Sequence, residues 1–394
     1  MAHHFNNSDI SNNENNNVEF SSRLELVSKK EENNIMKFTI KNIPLSVINA
    51  IRRIIISEIP VVGFKTTPHH ENQCEILVNT TRFNNEILKH RLSCIPVHIK
   101  DNSVTKTPSI PLENYELVVQ KKNDTSDIIY VTTEDFQIRD KNTGHFLSKA
   151  ERENIFPHSE ITGDYIDFVR LRPKFTSGGD GEEISLKCAF SVMVPDESQY
   201  TYNSTSRCFF TNTIDAIGRN DGWEAKAVEI KNANPDADME FEKKNWMALE
   251  GNRYYKQNSY DFELKTIGVY NNVELLNSAC LIMIDKLNKL VSEYGDKVIV
   301  NSSISTLPNA FDVTIKNEDH TLGRVLADVL YVTFVEGNKR LSYLGFIKEH
   351  PHDNHIKYTM SFGMEHAEPA VIEQLIGEGA RNAIRIFEDI KGLF

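Results

Sequence analysis

The chain has 394 residues, of which 40% are hydrophobic and 25% charged, ordinary proportions for a globular protein with room for two or three cores. Its net charge of -12 argues against a protein that grips nucleic acid directly, because phosphate contacts draw on clustered Lys and Arg. "MAHHFNNSDI" has no basic start before an apolar core, no run approaches a membrane span, and the five cysteines form no CxxC pair; a soluble intracellular protein with reduced thiols is expected.

Residues 1–17 are polar and Asn-rich and read as a disordered tail. From Val18, apolar and polar residues alternate around "KKEENN", which predicts a hairpin whose second strand feeds a helix in "FTIKNIPLSVINAIRRIIISEIP". On a helical wheel Val47, Ile48, Ile51, Ile54 and Ile55 share one face, with Asn49, Arg52, Arg53 and Ile56 opposite. That second face is either a solvated back or a surface covered by a partner that brings carboxylates to the arginines. The next helix, in "NNEILKHRLSCIP", must stop before Pro96.

Between residues 99 and 255 the patterns "YELVVQ", "DIIYV", "YIDFVRLRP" and "ISLKCAFSVMV" predict an inserted β-rich domain that ends in the irregular, acid-rich "KNANPDADMEFEKKN". The turn "SGGDGEE" lacks the Gly-Lys-Ser/Thr of a phosphate loop. "YDFELKTIGVY" returns to strand character. "ELLNSACLIMIDKLNKLVSEY" predicts a helix capped by Gly295, and residues 296–306 form a linker.

The linker leads to "VTIKNEDHTLGRVLADVLY", in which Thr314–Asn317 repeats Thr39–Asn42. Aligned on that tetrapeptide, Val47, Ala50, Ile51, Ile54 and Ile55 fall opposite Leu322, Val325, Leu326, Val329 and Leu330, every pair apolar. Two unrelated strand–helix units could produce this. Two related halves about a pseudo-twofold axis would produce it as well. A strand, "HIKYTMSF", and a last helix from near Pro369 follow, with Ile372, Ile376, Gly379, Ala383, Ile386 and Ile390 spaced as the seam of a packed helix.

"NAIRRIIISEIP" and "LKHRLSCIPV" resemble the assembly-platform subunit of multisubunit DNA-directed RNA polymerases, the bacterial alpha subunit and its eukaryotic third-subunit counterpart. "NEDHTLGRVL" resembles the smaller eleventh-subunit partner. The resemblance implies an α+β fold of two pseudo-symmetric dimerisation modules paired within one chain. The third-subunit-like module would occupy residues 18–98 and 256–295, with residues 99–255 inserted in it, and the eleventh-subunit-like module residues 307–394.

Such a protein is a non-catalytic platform that docks the two largest subunits, joins small assembly subunits, meets DNA only through the complex, crosses no membrane and is itself monomeric. The family presents its Arg-Arg helix and His-Arg-Leu turn to the second-largest subunit, which implicates Arg52, Arg53, Glu58, His90 and Arg91. Ala327 and Asp328 stand at the positions of Arg52 and Arg53 in the second copy, so that half would face the largest subunit. The internal interface would use Val47, Ile51, Ile54, Ile55, His320, Leu322, Gly323, Leu326, Val329, Ile372, Ile376 and Ile386.

In the family these partners are usually separate chains, and fusion occurs among large DNA viruses of eukaryotes. The Asn- and Ile-rich composition is compatible with such an origin. The expected location is then a cytoplasmic viral factory or the virion, and otherwise the nucleus. The family's cysteine-clustered zinc loop is absent, because Cys188 and Cys208 are the insert's only cysteines, so neither zinc nor another cofactor is expected.

Other constellations are weaker. His350, His352, Asp353 and His355 could supply ligands to a metal-dependent hydrolase, yet a Pro-containing polar loop is equally expected there. His69 and His70 follow Pro68 in a similar loop. His320 opens a helix where Asp319 or Thr321 can cap, and Gly323 permits close helix contact. No Asp-rich motif offers a site for catalytic magnesium. A stand-alone transcription regulatory module remains the other alternative, which the acidic charge opposes.

Overall fold

The computed structural model describes residues 24–102, 107–108, 111–174, 180–197, 201–364 and 367–394. The expected Asn-rich tail and part of "SGGDGEE" lie outside them. In chain order the elements begin with β1 (Glu25–Glu32), β2 (Ile35–Lys41), α1 (Leu45–Ser57), β3 (Val61–Gly63), β4 (Cys74–Asn79) and α2 (Asn85–Ser93). A two-residue pair, β5 (Asp101–Asn102) and β6 (Thr107–Pro108), precedes β7 (Tyr115–Lys122), β8 (Ile129–Thr132), β9 (Gln137–Asp140), α3 (Lys149–Ile155) and β10 (Asp167–Leu171). Then come β11 (Glu183–Ala189), β12 (Ser191–Met193), β13 (Thr205–Ile214), α4 (Ala216–Ala233), α5 (Met239–Ala248), β14 (Tyr255–Thr266), α6 (Asn272–Ser292) and the short α7 (Tyr294–Lys297). The chain closes with β15 (Val298–Ser302), β16 (Ala310–Lys316), α8 (His320–Leu330), β17 (Tyr343–Ile347), β18 (His355–Ser361) and α9 (Pro369–Gly392), a mixed α+β fold.

Two sheets of four strands repeat one topology. The first runs β1-β2-β14-β13 and the second β15-β16-β18-β17, and in each a helix follows the second strand and another follows the last. The repeated tetrapeptide ends both second strands. Asn42 and Asn317 leave the strand with φ of 59° and 57°, a left-handed turn that asparagine tolerates better than other side chains with a Cβ. Within the sheets, alternation fixes the buried face: Met36, Phe38 and Ile40 on β2, Val313 and Ile315 on β16, and Ile356, Tyr358 and Met360 on β18 are all buried. The β1–β2 hairpin turns at Asn33 and Asn34, both with positive φ, as a tight two-residue loop requires.

Contacts divide the chain into two units, one built chiefly from Lys41–Ala50 and Lys286–Leu393, the other from Leu26–Ile40 and Ile51–Asp285. The second unit contains the insert, and β3, β4 and α2, expected within the module 18–98, pack with it instead: one sheet runs β4-β11-β7-β9 beside the pairs β8–β10 and β3–β12. Its core gathers Phe64, Phe136, Phe156 and Phe168 around Leu88 and Leu92 of α2. Phe136 meets Phe156 and Phe168 edge-on at 5.3 and 5.6 Å between ring centres, a favoured aromatic geometry.

Two expectations about the insert need correction. Residues 205–214 form β13, which pairs along β14 in the first four-stranded sheet, so the insert gives way to that sheet well before residue 255. The stretch expected to be irregular, 231–245, is largely helical, because α4 and α5 form a helical excursion between β13 and β14. Each helix buries one tryptophan, Trp223 and Trp246, whose rings lie 5.8 Å apart, with Tyr254 5.6 Å from Trp246. Nor does Gly295 cap the helix as expected: α6 ends at Ser292, Gly295 sits inside α7, and the expected linker 296–306 contains β15, an edge strand of the second sheet.

Candidate docking site

α1 starts where the strand cannot continue. After the turn at Asn42, the carbonyl of Pro44 accepts the N–H groups of Val47 and Ile48 at 3.1 and 3.2 Å. Val47, Ile48, Ala50, Ile51, Ile54 and Ile55 are buried, and each large aliphatic side chain contributes about 1.5–3 kcal/mol by leaving water. Asn49, Arg52, Arg53 and Ile56 are half-buried on the other side. Neither arginine is without a partner inside the chain. The Sγ–H of Cys208 on β13 points at the Arg52 carbonyl at 3.9 Å, and burial pushes that thiol up to about 12 against the opposing charge of Arg52.

The helix end is closed by several bonds. The hydroxyl of Ser57 donates to the Arg53 carbonyl at 3.0 Å, Glu58 N–H to Ile54 at 2.9 Å, and Asp196 N–H to Ser57 at 2.8 Å. Glu58 is thereby fixed, half-buried, immediately beyond α1.

α2 is capped by Asn84, whose side chain accepts the Ile87 N–H at 2.9 Å, and it buries Leu88 and Leu92. Its last turn carries His90 and Arg91, both exposed. Arg91 holds the insert as well as facing outward: Nε and Nη2 donate to the carbonyls of Phe168 and Asp167 at 2.7 and 2.9 Å, and the guanidinium lies 5.6 Å from the Phe83 ring centre. Only its remaining N–H groups are available to a partner. His90 borders an open groove of about 390 Å³ with Thr66, Thr67, His69, Glu86, Ile87 and Lys89.

Two tyrosines that sequence reasoning missed pin the stretch after α1. Tyr270 donates its hydroxyl to the Pro60 carbonyl at 3.0 Å, and Tyr202 lies 2.6 Å from the Val62 carbonyl and 3.1 Å from that of Val97. Tyr202 thereby ties the segment after α1 to the segment after α2. Burial pushes its phenol well above the ordinary range, so it remains a donor. These contacts join residues 210, 140 and 105 positions apart, and no local pattern signals them.

In the second half, Leu322, Leu326, Val329, Ile372, Ile376 and Ile386 are buried. Asp319 caps α8 by accepting the Thr321 N–H at 2.7 Å. His320, expected on the buried seam, is exposed at the helix start and rests edge-on against Phe346 of β17 at 5.5 Å. Gly323 makes room for the sheet rather than for another helix, since a Cβ there would collide with Phe346 and Ile356. Its carbonyl accepts the Tyr358 hydroxyl at 2.8 Å. Helix contact falls instead to Gly379 of α9, which lies against Leu330 and Leu326 of α8. Ala327, expected beside Asp328 on the outer face, is buried, and Asp328 is half-buried.

The histidine loop between β17 and β18 satisfies its own polar groups: His350 N–H donates to the Asp353 carboxylate at 2.9 Å and His352 N–H to His350 Nδ1 at 3.1 Å. Among the described residues, no three His, Cys, Asp or Glu side chains are arranged to hold a metal ion. His70 lies 3.4 Å from the carboxylate of Glu71.

The chain can be set beside known proteins. A family described as the RNA polymerase Rpb3/Rpb11 dimerisation domain matches residues 37–287, more than half of the chain. DNA-directed RNA polymerase II subunit RPB3 of Schizosaccharomyces pombe is 34% identical over 80 residues, 20% of this chain and 24% of that protein. The similarity thus spans about a quarter of the relative's length.

Proposed function

Because the chain belongs to the RNA polymerase Rpb3/Rpb11 dimerisation-domain family, we propose that it is a non-catalytic assembly-platform subunit of a DNA-directed RNA polymerase whose two halves pair with each other. The observation that carries this reading is the repeated topology, β1-β2-β14-β13 and β15-β16-β18-β17, with Asn42 and Asn317 at the same turn in each. A module of a kind that dimerises, present twice in one chain, supplies its own partner and leaves the chain monomeric. Covalent linkage replaces a bimolecular encounter with an effective concentration on the order of millimolar, so the platform forms before any large subunit arrives.

The two outer faces then do different work. Arg52, Arg53 and Glu58 of α1 and its end, with His90 and Arg91 of α2, receive the second-largest subunit. The face bearing Ala327 and Asp328 receives the largest. Arginine suits such a role because its planar donors match carboxylates and its charge survives partial burial. The chain needs no cofactor for this, and nucleotidyl transfer belongs to the large subunits. Fusion of two subunits in a large DNA virus of eukaryotes accounts for the single chain and its Asn- and Ile-rich composition, and it implies a cytoplasmic factory or the virion as the place of work.

Co-expression of the two largest polymerase subunits of the source, with and without this chain, tests the proposal. A complex containing both is expected only when the chain is present. Equal recovery of that complex without it would overturn the platform role.

A further inference from the structure

The sheet β4-β11-β7-β9 holds a pair of thiols that the platform role does not use. Cys74 on β4 and Cys188 on β11 stand directly opposite each other across antiparallel strands, both reduced and both buried. One position further on, Ala189 N–H donates to the Gln73 carbonyl at 3.4 Å, while the Cys74 N–H is taken by the Asn72 side chain at 3.1 Å and so is not given to Cys188. The alternation of an antiparallel ladder makes 74 and 188 a non-hydrogen-bonded pair, the kind whose Cα atoms approach to about 4.5 Å. That separation falls within the range of about 4.4–6.8 Å that a disulfide spans without moving the backbone.

The two thiols differ in place, Cys74 lying on the edge strand β4 and Cys188 one strand further in. Cys74 lines an open groove of about 400 Å³ together with Asn72, Gln73, Glu75, Ile76, Asn85 and Lys89. Cys188 does not line it.

We propose that Cys74 and Cys188 are an oxidisable dithiol, with Cys74 the attacking thiol and Cys188 the resolving one, which closes to an intramolecular disulfide when a low-molecular-weight disulfide enters the groove beside α2. The electrostatics run the same way. A hydrogen bond from Cys188 holds the Cys74 thiol below its ordinary value, with the charge of Lys89 adding to it against the cost of burial. The same bond to Cys74 and its own burial push Cys188 well above the ordinary range.

With oxidised glutathione as the oxidant, the Cys74 thiolate attacks one sulfur. An S–S bond to Cys74 forms as the glutathione S–S bond breaks, and the first glutathione leaves as a thiolate. Cys188 then attacks the Cys74 sulfur, the mixed disulfide breaks, and its proton goes to the departing second glutathione. The two protein thiols lose two electrons and two protons in all, and one glutathione disulfide becomes two glutathione thiols. The bond would join β11 to β4, the strand that leads into α2.

The test uses the full chain carrying Cys94→Ser, which removes the exposed competitor. The folded protein is incubated with oxidised glutathione, quenched with an alkylating reagent and mapped by mass spectrometry without reduction. The expected result is loss of both alkylatable thiols and a linked Cys74–Cys188 peptide lighter by two hydrogens. Cys188→Ser should instead accumulate a glutathione adduct on Cys74. Both thiols remaining alkylatable, under oxidation that fully modifies Cys94 in the unsubstituted chain, would overturn the proposal. A linked peptide that forms only in denaturant, or no adduct on Cys74 in Cys188→Ser, would do so as well.

Discussion

Gly379→Leu is expected to destabilise the chain by about 3 kcal/mol, at the upper end of what overpacking a core usually costs. Gly379 is buried in the middle of α9, and an added Cβ would lie 2.5 Å from Leu330 Cδ2 and 3.2 Å from its Cγ. Both atoms belong to a side chain that is itself fully buried, so Leu330 has little room to withdraw. Helix propensity acts in the opposite direction, since removing a glycine from a helix interior favours the helix by about 1 kcal/mol. The steric term is expected to win because leucine adds three more carbons beyond the clashing Cβ. Urea denaturation provides the measurement: the midpoint should fall without a change in slope. Leu330→Ala in the same chain should recover part of the loss, as expected for two residues competing for one space. A midpoint unchanged or raised in Gly379→Leu would mean that α8 and α9 do not approach through this glycine.

Reversing the charge on the α1 face should have the largest functional effect. Arg52→Glu together with Arg53→Glu is expected to weaken retention of the second-largest subunit by about 30-fold or more, the effect of removing hot-spot arginines from an interface. Retention of the largest subunit should change little, because Ala327 and Asp328 mark a different face. Stability should fall far less than in the Gly379 variant, since both arginines are only half-buried, while Val47, Ile51, Ile54 and Ile55 keep the core side of α1. The check is subunit stoichiometry after affinity purification, with circular dichroism to confirm that the variant is folded. Equal retention of both large subunits would remove the arginines from the docking face.

What the sequence made legible was local. The tetrapeptide shared by Thr39–Asn42 and Thr314–Asn317 combines a strand period, a residue suited to positive φ and the start of a helical period, and all three appear in the structure. The faces of α1, α8 and α9 were readable for the same reason: their aliphatic residues recur at helical spacing and are buried. α4 and α5 are not readable, because each buries a single tryptophan and leaves Ile217, Val228 and Phe241 exposed, so no periodic apolar stripe exists to be seen. β13 looked like part of the insert because only its long-range pairing with β14 assigns it to the first sheet.

Residue type also misled where the partner was distant. His320 and Gly323 lie in the expected helix, yet the neighbour of both is Phe346 of β17, which a reading confined to the helix could not supply. Arg91 belongs to the His-Arg-Leu motif, but its bonds reach the carbonyls of Asp167 and Phe168 in the insert. Tyr202 and Tyr270 carry no motif at all. Their importance comes from the carbonyls they reach, those of Val62, Val97 and Pro60, in the segments that follow α1 and α2.

The platform reading is tested most directly by affinity purification of the tagged, unsubstituted chain from its source, with identification and quantification of what accompanies it. The account predicts both largest subunits of a DNA-directed RNA polymerase, each in about one-to-one proportion to the chain, as one copy of a paired platform requires. Recovery of the chain without either large subunit would contradict it.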